Sequence, residues 1–249
     1  MLDLIIAIKH HMSTYFINFF PFISISTWYV MIQQVAILVL FLVFLYHNGS
    51  IVVGDKSAHQ MTIHLPQLLY FLLFYGVFAL PYILAKLRST IRLMLYNKIN
   101  MLYFATIFAI IIHFNTIVHP YLLADNRHYI FYIWNRWFGK YDFAIYATIP
   151  VYIFLLFSVY DNLKDQNCIS FLVPYCVSMF MVLVFQKLVE IRYFLVPFII
   201  IRLRFIQPSY KIVITEFIWY SLINAVTFYL FFTKEIFWKD FKEPQRLIW

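Results

Sequence analysis

Three polar segments of this 249-residue chain carry side chains that could do chemistry. The first is GDKSAHQMTIHLPQ, residues 54–67, where Asp55 and Lys56 stand about one helical turn before His59. These groups could pair with others in a binding site, but their spacing matches no zinc pattern, so no metal site is predicted. The same spacing also fits a solvated loop in which Asp55 or Ser57 caps a helix.

The second segment is HPYLLADNRHYIFYIWNRW, residues 119–137, which combines the consecutive polar residues of LADNRHY with a dense set of aromatic rings. The polar residues are Asp125, Asn126, Arg127 and His128, and the rings are Tyr121, Tyr129, Phe131, Tyr132, Trp134 and Trp137. One interpretation is a belt of amphipathic rings at a membrane–water boundary. The other is a sugar site, because rings stack on sugars, carboxylate and amide oxygens accept hydrogen bonds from hydroxyls, and arginine binds phosphate through its planar fork.

The third segment is QKLVEIRYF, residues 186–194, which follows an apolar run. Glu190 is three residues after Lys187, so the two can pair if they lie on one helix face. Lys187 and Arg192 could be snorkelling residues at a helix end. Alternatively, the two cations grip a lipid phosphate at the level of the headgroups.

Glu216 is unusual because it stands only four residues into the last apolar run. Ionisable groups inside membranes are commonly functional or paired. The sequence predicts a nearby cation, such as Lys211 or Arg204, as its partner.

The composition defines the class of protein to which these segments belong. Hydrophobic residues make up 64% of the chain and charged residues 12%, whereas soluble domains carry about 25% charged residues. The chain is therefore an integral membrane protein. The four glycines form no phosphate-binding loop. Because the basic residues lie between apolar runs, the net charge of +8 indicates lipid partners, not nucleic acid.

Six apolar runs are long enough to suggest membrane spans, which need about 20 residues. They are Trp28 to Tyr46, Pro66 to Ala85, Met101 to Val118, Phe143 to Tyr160, Ile169 to Phe185 and Ile212 to Phe232. Tyr193 to Ile201 is a seventh, short candidate. Continuous apolar runs favour helices over a barrel, so the predicted fold is all-α, a polytopic helix bundle of six or seven spans forming one transmembrane domain. Cys168 and Cys176 are predicted to be core residues.

Short basic loops predict the orientation in the membrane. Lys86, Arg88, Arg92 and Lys98 follow the second run and are expected on the cytoplasmic side. Arg202, Arg204 and Lys211 share that side if the seventh candidate crosses. The opposite, lumenal side then receives residues 47–65, the main loop 119–142, residues 187–193 and the C-terminal tail.

Several motifs together resemble one known family. They are GDKSAHQ with HLPQLLYF, YLLADNRHYIFYIWNRWF, FQKLVEIRYFLVP and the terminal QRLIW. The chain resembles, from about Trp28 onward, the eukaryotic dolichyl-phosphate-glucose-dependent α-1,2-glucosyltransferases of the endoplasmic reticulum. These enzymes add the last glucose to the dolichol-linked oligosaccharide before its transfer to asparagine.

The resemblance implies a GT-C-like multispan fold with a lumenal active site and an inverting glucose transfer. The donor would be dolichyl phosphate glucose, with no cofactor or metal, since the phosphate is already a good leaving group. Inversion needs a general base and the departing phosphate needs cations. Asp125 and Asp55 are the candidates for base or sugar contact. The candidates for substrate binding are Lys56, His59, Asn126, Arg127, His128, Lys187, Glu190, Arg192 and Tyr193.

The resemblance also implies that the chain corresponds to the second half of longer members. Their first half carries an early lumenal Asp-Glu pair, the expected base of this fold class, and before Trp28 this chain has Asp3 as its sole acid. Two other functions stay open on the sequence alone. One is a membrane regulator or inactive member that has lost the base, and the other is a transporter, which intramembrane charge and broken helices can indicate.

Overall fold

The structure, a computed structural model, describes residues 25–50, 62–118, 126–141, 143–164, 169–186, 188–205, 208–237 and 243–247. The chain divides into two compact units, Met1–His59 and Gln60–Trp249. Within the first unit, helix α1 (Ile25–Asn48) exposes large apolar side chains along its length. Such a helix suits a lipid environment, because lipid tails are as apolar as the side chains that they meet.

The second unit is built almost entirely of helices. Its longer helices are α2 (Pro66–Phe78), α3 (Leu80–Tyr96), α4 (Lys98–Asn115), α7 (Ile149–Leu163), α8 (Ile169–Leu183), α9 (Arg192–Arg202) and α10 (Tyr210–Thr233). Two short helices, α5 (Tyr129–Ile133) and α6 (Ala144–Ala147), flank a π-helical turn at Trp134–Phe138. Strands β1 (Glu235–Ile236) and β2 (Gln245–Arg246) pair antiparallel after α10.

Four helical segments among the described residues are long and apolar enough to cross a membrane: Met31–Asn48, Lys98–Asn115, Ala144–Leu163 and Tyr210–Thr233. The bent pair α2 and α3 makes a fifth if it counts as one span. The predicted all-α, polytopic membrane protein is confirmed. The predicted six or seven spans exceed this number, because the apolar part of α8 (Phe171–Leu183) and the 11-residue α9 are shorter than a span needs.

The second predicted span, Pro66 to Ala85, is not one straight helix, because the chain breaks inside it. Helix α2 ends at Phe78, and α3 leaves at 101° to it. Pro81 has no backbone N–H, so it cannot bond to the carbonyl of Val77 four residues earlier. The indole Nε1–H of Trp219 donates to that carbonyl instead, at 2.8 Å. A side chain of α10 thus stabilises the bend.

Helix α3, predicted as a basic loop, passes over the last turn of α7. There Asp161 is fully buried, and its carboxylate accepts hydrogen bonds from Ser89 at 3.1 Å and Thr90 at 3.2 Å. Lys164 pairs with the same carboxylate at 2.7 Å, and Lys86 donates to the Asp161 carbonyl at 2.9 Å. Every polar group of Asp161 in this crossing has a partner, as burial of a carboxylate requires.

Glu216 joins three helices, and its predicted cation partner is wrong. The partner is neither Lys211 nor Arg204 but Arg202, the last residue of α9, whose Nε and Nη2 each lie 2.6 Å from a carboxylate oxygen. Tyr82 of α3 donates to Glu216 at 2.8 Å, and the Arg202 guanidinium lies 4.3 Å from the centre of the Tyr82 ring. Arg202 therefore lies beside α3, so two of the predicted basic segments meet at one end of the bundle.

The core of the second unit lies where α2 packs on α7 and α9. Its largest fully or nearly buried rings and aliphatic residues include Leu69, Phe71, Tyr75, Tyr152, Leu155, Phe194 and Phe198. A side chain at Gly76 would come within 3.0 Å of Leu155, so glycine permits the close approach of α2 and α7. The prediction of a core position is wrong for Cys176, which is exposed, and Cys168 lies outside the described residues.

Replacing Glu216 by alanine is expected to destabilise the protein by about 3 kcal/mol, because Arg202 would keep its charge without its partner. The measurement is thermal unfolding in detergent. Tyr220→Phe, which removes only the 3.0 Å hydrogen bond from Tyr220 to the same carboxylate, is the milder control. The double change Arg202→Met with Glu216→Met should recover most of the loss. Equal melting of Glu216→Ala and Tyr220→Phe would contradict the role of the ion pair.

Candidate substrate site at one end of the bundle

The start of α2 is tied to the chain that follows α8. The backbone N–H of His64 donates to the Val184 carbonyl at 2.8 Å. The fully buried Gln67 donates from Nε2 to the carbonyls of Gln186 at 3.1 Å and Leu188 at 2.9 Å. Carbonyls at and beyond a helix end have no partner within the helix. Gln67 therefore fixes the segment that leads to Glu190.

Asn115, the last residue of α4, ties this helix to the same place. Its Oδ1 accepts the backbone N–H of Leu65 at 2.5 Å, and its Nδ2 donates to the Ile63 carbonyl at 3.0 Å. The start of α2 and the ends of α4 and α8 thus meet, and we call this region the site end. The opposite end of the bundle carries the Asp161 and Glu216 clusters.

His64 lies inside this junction and has a structural role. Its ring is fully buried, 6.0 Å from the ring of Tyr70, and its Nε2 accepts the backbone N–H of Ile117 at 3.5 Å. A metal site needs several converging ligands. Among the described residues there is no group of three histidine, cysteine or acidic side chains that could hold a metal ion.

Glu190 and Arg192 form an ion pair at the site end. Lys187, the possible helical partner of Glu190, lies outside the described residues. Residues 188–190 are not helical, and α9 begins at Arg192. The side chain of Arg192 is 74% exposed and that of Glu190 20% exposed. Exposed ion pairs are weak, so the Arg192 guanidinium can turn to an anionic ligand. Tyr193 lies beside it, with its ring centre 5.7 Å from the guanidinium carbon.

Residues 126–139, which we call the aromatic segment, form a compact turn. Half-buried Asn126, Arg127 and His128 lead into α5, and a π-helical turn follows at Trp134–Phe138. Gly139 closes this turn by donating its N–H to the Trp134 carbonyl at 2.7 Å. A Cβ on Gly139 would come within 3.3 Å of that oxygen, so a side chain would fit poorly. Single π-helical turns are frequent at functional sites.

An apolar cavity of about 280 Å³ lies between α2, the aromatic segment and the chain entering α9. Its lining includes Tyr70, Val77, Tyr129, Trp134, Val189 and Ile191. In this short stretch Val189 and Ile191 line the cavity. The residues that alternate with them, Glu190 and Arg192, form the ion pair. The arrangement fits a ligand that has an apolar chain and an anionic headgroup.

A second apolar cavity, of about 360 Å³, continues toward α10. Val77 and Tyr129 line both cavities, and Trp219, Leu222, Val226 and Leu230 of α10 line the second. Burial raises the pKa of Tyr129, so its hydroxyl stays protonated at neutral pH. Because Val77 and Tyr129 line both cavities, there is room for a long apolar chain along α2 from the first cavity to the second.

The structure describes six of the eleven residues predicted for the site. Five predicted residues lie outside the described residues: Asp55, Lys56, His59, Asp125 and Lys187. Of the others, Glu190, Arg192 and Tyr193 lie together, and Asn126, Arg127 and His128 immediately precede Tyr129 of the cavity. The sequence analysis missed Gln67 and Asn115, although a glutamine inside the otherwise apolar HLPQLLYF run was a visible signal.

The fold defines an all-α, polytopic membrane protein, and at one end of its bundle an apolar cavity adjoins an ion pair. Residues 2–203 match the DIE2/ALG10 family, and the chain belongs to this family.

Relatives of the chain occur in animals, plants and fungi. A Drosophila melanogaster protein is 43% identical over 86% of this chain and 48% of its own length. A human protein is 37% identical over 84% of the chain and 45% of its length, and an Arabidopsis thaliana protein is 31% identical over 86% and 43%. All three are named Dol-P-Glc:Glc(2)Man(9)GlcNAc(2)-PP-Dol alpha-1,2-glucosyltransferase. The chain spans about half the length of these relatives, and no solved structure matches it.

Gln67→Leu is expected to loosen the segment from Gln186 to Arg192, because two backbone carbonyls lose their donor. With about 1 kcal/mol per hydrogen bond, amide exchange there should speed up by roughly tenfold or more. Hydrogen-exchange mass spectrometry measures this change. Gln34→Leu, at an exposed position of α1, is the matched control. Unchanged exchange at residues 186–192 would contradict the role assigned to Gln67.

Proposed function

We propose that this chain takes part in glucosyl transfer from dolichyl phosphate glucose to the diglucosylated dolichol-pyrophosphate oligosaccharide, forming the terminal α-1,2 linkage. Support comes from its family and from the name that its relatives share. The single observation that carries the proposal is the stretch Val189–Arg192, where cavity-lining side chains alternate with an ion pair. A dolichyl phosphate combines the same two properties, an apolar chain and an anionic headgroup.

Three chemical changes make up the transfer. The bond between the anomeric carbon and the phosphate oxygen breaks, a bond to the acceptor hydroxyl forms, and the hydroxyl proton goes to a base. In this proposal Arg192, with Arg127 and Lys187, stabilises the phosphate that leaves, since cations placed where negative charge develops lower the barrier. Asp125 and Asp55 are the candidates in this chain for the base or for sugar contact. No metal is needed for this chemistry, and a GT-C-like fold would supply the general architecture.

Binding would place the donor with its chain in the apolar cavities and its phosphate beside Arg192. The rings of the aromatic segment, such as the 62% exposed Trp137, are available for stacking on the oligosaccharide. Under the predicted orientation, this end faces the lumen of the endoplasmic reticulum. The mixed-charge segments all belong to that side in this proposal, whereas the basic residues of α3 face the cytoplasm.

A chimaera tests the activity of this chain in its family context. The chain is joined to the N-terminal half of a relative and expressed in cells that lack terminal glucosylation, and the lipid-linked oligosaccharides are profiled. We expect the third glucose to return, and Asp125→Ala or Arg127→Ala to lower it by at least about tenfold. Arg136→Ala, at an exposed residue of the same segment whose guanidinium lies 5.3 Å from the centre of the Tyr132 ring, is the control. Normal profiles with both substitutions would refute the site assignment, and failure of the intact chimaera would refute the function.

Val77→Trp tests where the donor chain lies, because the larger ring would fill the point shared by both cavities. In membranes that carry the chimaera, we expect the KM for dolichyl phosphate glucose to rise about tenfold or more with kcat little changed. Donors with a much shorter apolar chain should be affected less. Val182→Trp, on α8, is the control, since Val182 and Val77 are 47% and 49% exposed. Equal KM values for the two variants would exclude this route for the chain.

A further inference from the structure

Helix α3 has an outer face that packs on no other described part of the second unit. Leu84, Ile91 and Leu95 are spaced seven and four residues apart and so form one strip along the helix. They are 58%, 44% and 62% exposed. Arg88 and Arg92, also exposed and four residues apart, lie along one side of this strip. An apolar strip beside a basic one is the pattern of a helix that lies in a membrane interface.

The position of α3 in the bundle agrees with this pattern. The helix leaves α2 at 101°, and along its inner side it contacts three helix ends in turn. Tyr82 bonds to Glu216 near the start of α10 and to Arg202 at the end of α9. Further along, Thr90 bonds to Asp161 in the last turn of α7. These contacts place α3 at one end of the bundle, beside the ends of three other helices.

The next helix begins immediately after α3. Asn97 separates the two, and α4, a candidate membrane span, starts at Lys98. The end of α3 is therefore at the depth where a span begins, which is the depth of the lipid headgroups.

The charges of α3 divide between its two sides. On the inner side, the ammonium of Lys86 donates to the Asp161 carbonyl, and Lys164 of α7 pairs with the Asp161 carboxylate. On the outer side, the guanidinium groups of Arg88 and Arg92 have no hydrogen bond or ion pair within the described ranges. The inner cations are thus satisfied by the protein itself, whereas the two outer guanidinium groups are available for anions outside the bundle.

We propose that the outer face of α3 lies in the membrane interface and binds anionic phospholipid headgroups through Arg88 and Arg92. Leu84, Ile91 and Leu95 enter the acyl region next to the headgroups, and the longer arginine side chains reach the phosphates. This surface is at the end of the bundle opposite the site end. It is therefore a lipid contact separate from the donor site.

The first experiment measures lipid preference. The purified chain in detergent is equilibrated with equal amounts of phosphatidylinositol and phosphatidylcholine, and bound lipids are counted by native mass spectrometry. We expect phosphatidylinositol to be enriched, and Arg88→Gln with Arg92→Gln to lower the enrichment by about fivefold per arginine at low salt. The control is Lys140→Gln with Lys234→Gln, which removes two exposed charges away from α3. Equal enrichment in wild type and both variants would overturn the proposal.

A second measurement covers the case in which the arginine variant folds poorly. With Cys168 and Cys176 changed to serine, a spin label at Ile91→Cys reports its surroundings in bilayers through its accessibility to oxygen and to a water-soluble nickel reagent. We expect a depth just below the phosphates, and a label at Arg88→Cys closer to water. Full accessibility of both labels to nickel would point to a soluble partner instead and overturn the proposal, as would shielding of both from oxygen and nickel.

Discussion

Backbone N–H and C=O groups at helix ends need hydrogen-bond partners where water is scarce. At the start of α2, the side-chain amides of Gln67 and Asn115 are these partners. Gln67 donates hydrogen bonds to two backbone carbonyls beyond the end of α8. Asn115 forms hydrogen bonds with the backbone of Ile63 and Leu65, on either side of His64. These few bonds hold the ends of three helices together. The bonds from Gln67 hold the chain directly before Val189 and Glu190, which contribute to the first cavity and to the ion pair with Arg192.

The two ends of the bundle use charge in different ways. At the end crossed by α3, Asp161 and Glu216 are buried, and their carboxylates are bonded to cations and hydroxyls that belong to several helices. Such groups are costly to bury alone and strongly coupled to their neighbours once paired. At the site end the ion pair is exposed on its arginine side, and an apolar cavity adjoins it. The first arrangement stabilises the bundle, and the second leaves charge available to a ligand.

The break between α2 and α3 connects these two ends. The break limits α2 to 13 residues. Gln67 lies at the start of this short helix, and Tyr70 and Val77 line the first cavity along its side. The break also turns α3 across the ends of α7, α9 and α10. Pro81 removes one backbone hydrogen bond, and Trp219 replaces it from another helix. The bend is therefore stabilised by a contact with α10.

The sequence by itself determined the membrane class, the helical fold, the three polar segments and the family resemblance, because hydropathy, charge and motif are local properties of a chain. Only the tertiary structure decided that the run from Pro66 to Ala85 bends, that Glu216 pairs with Arg202, and that Gln67 holds the segment before Glu190. Each of these depends on groups far apart in the chain. Local periodicity carries no information about which distant partner completes a hydrogen bond, so such contacts appear only when the helices are packed.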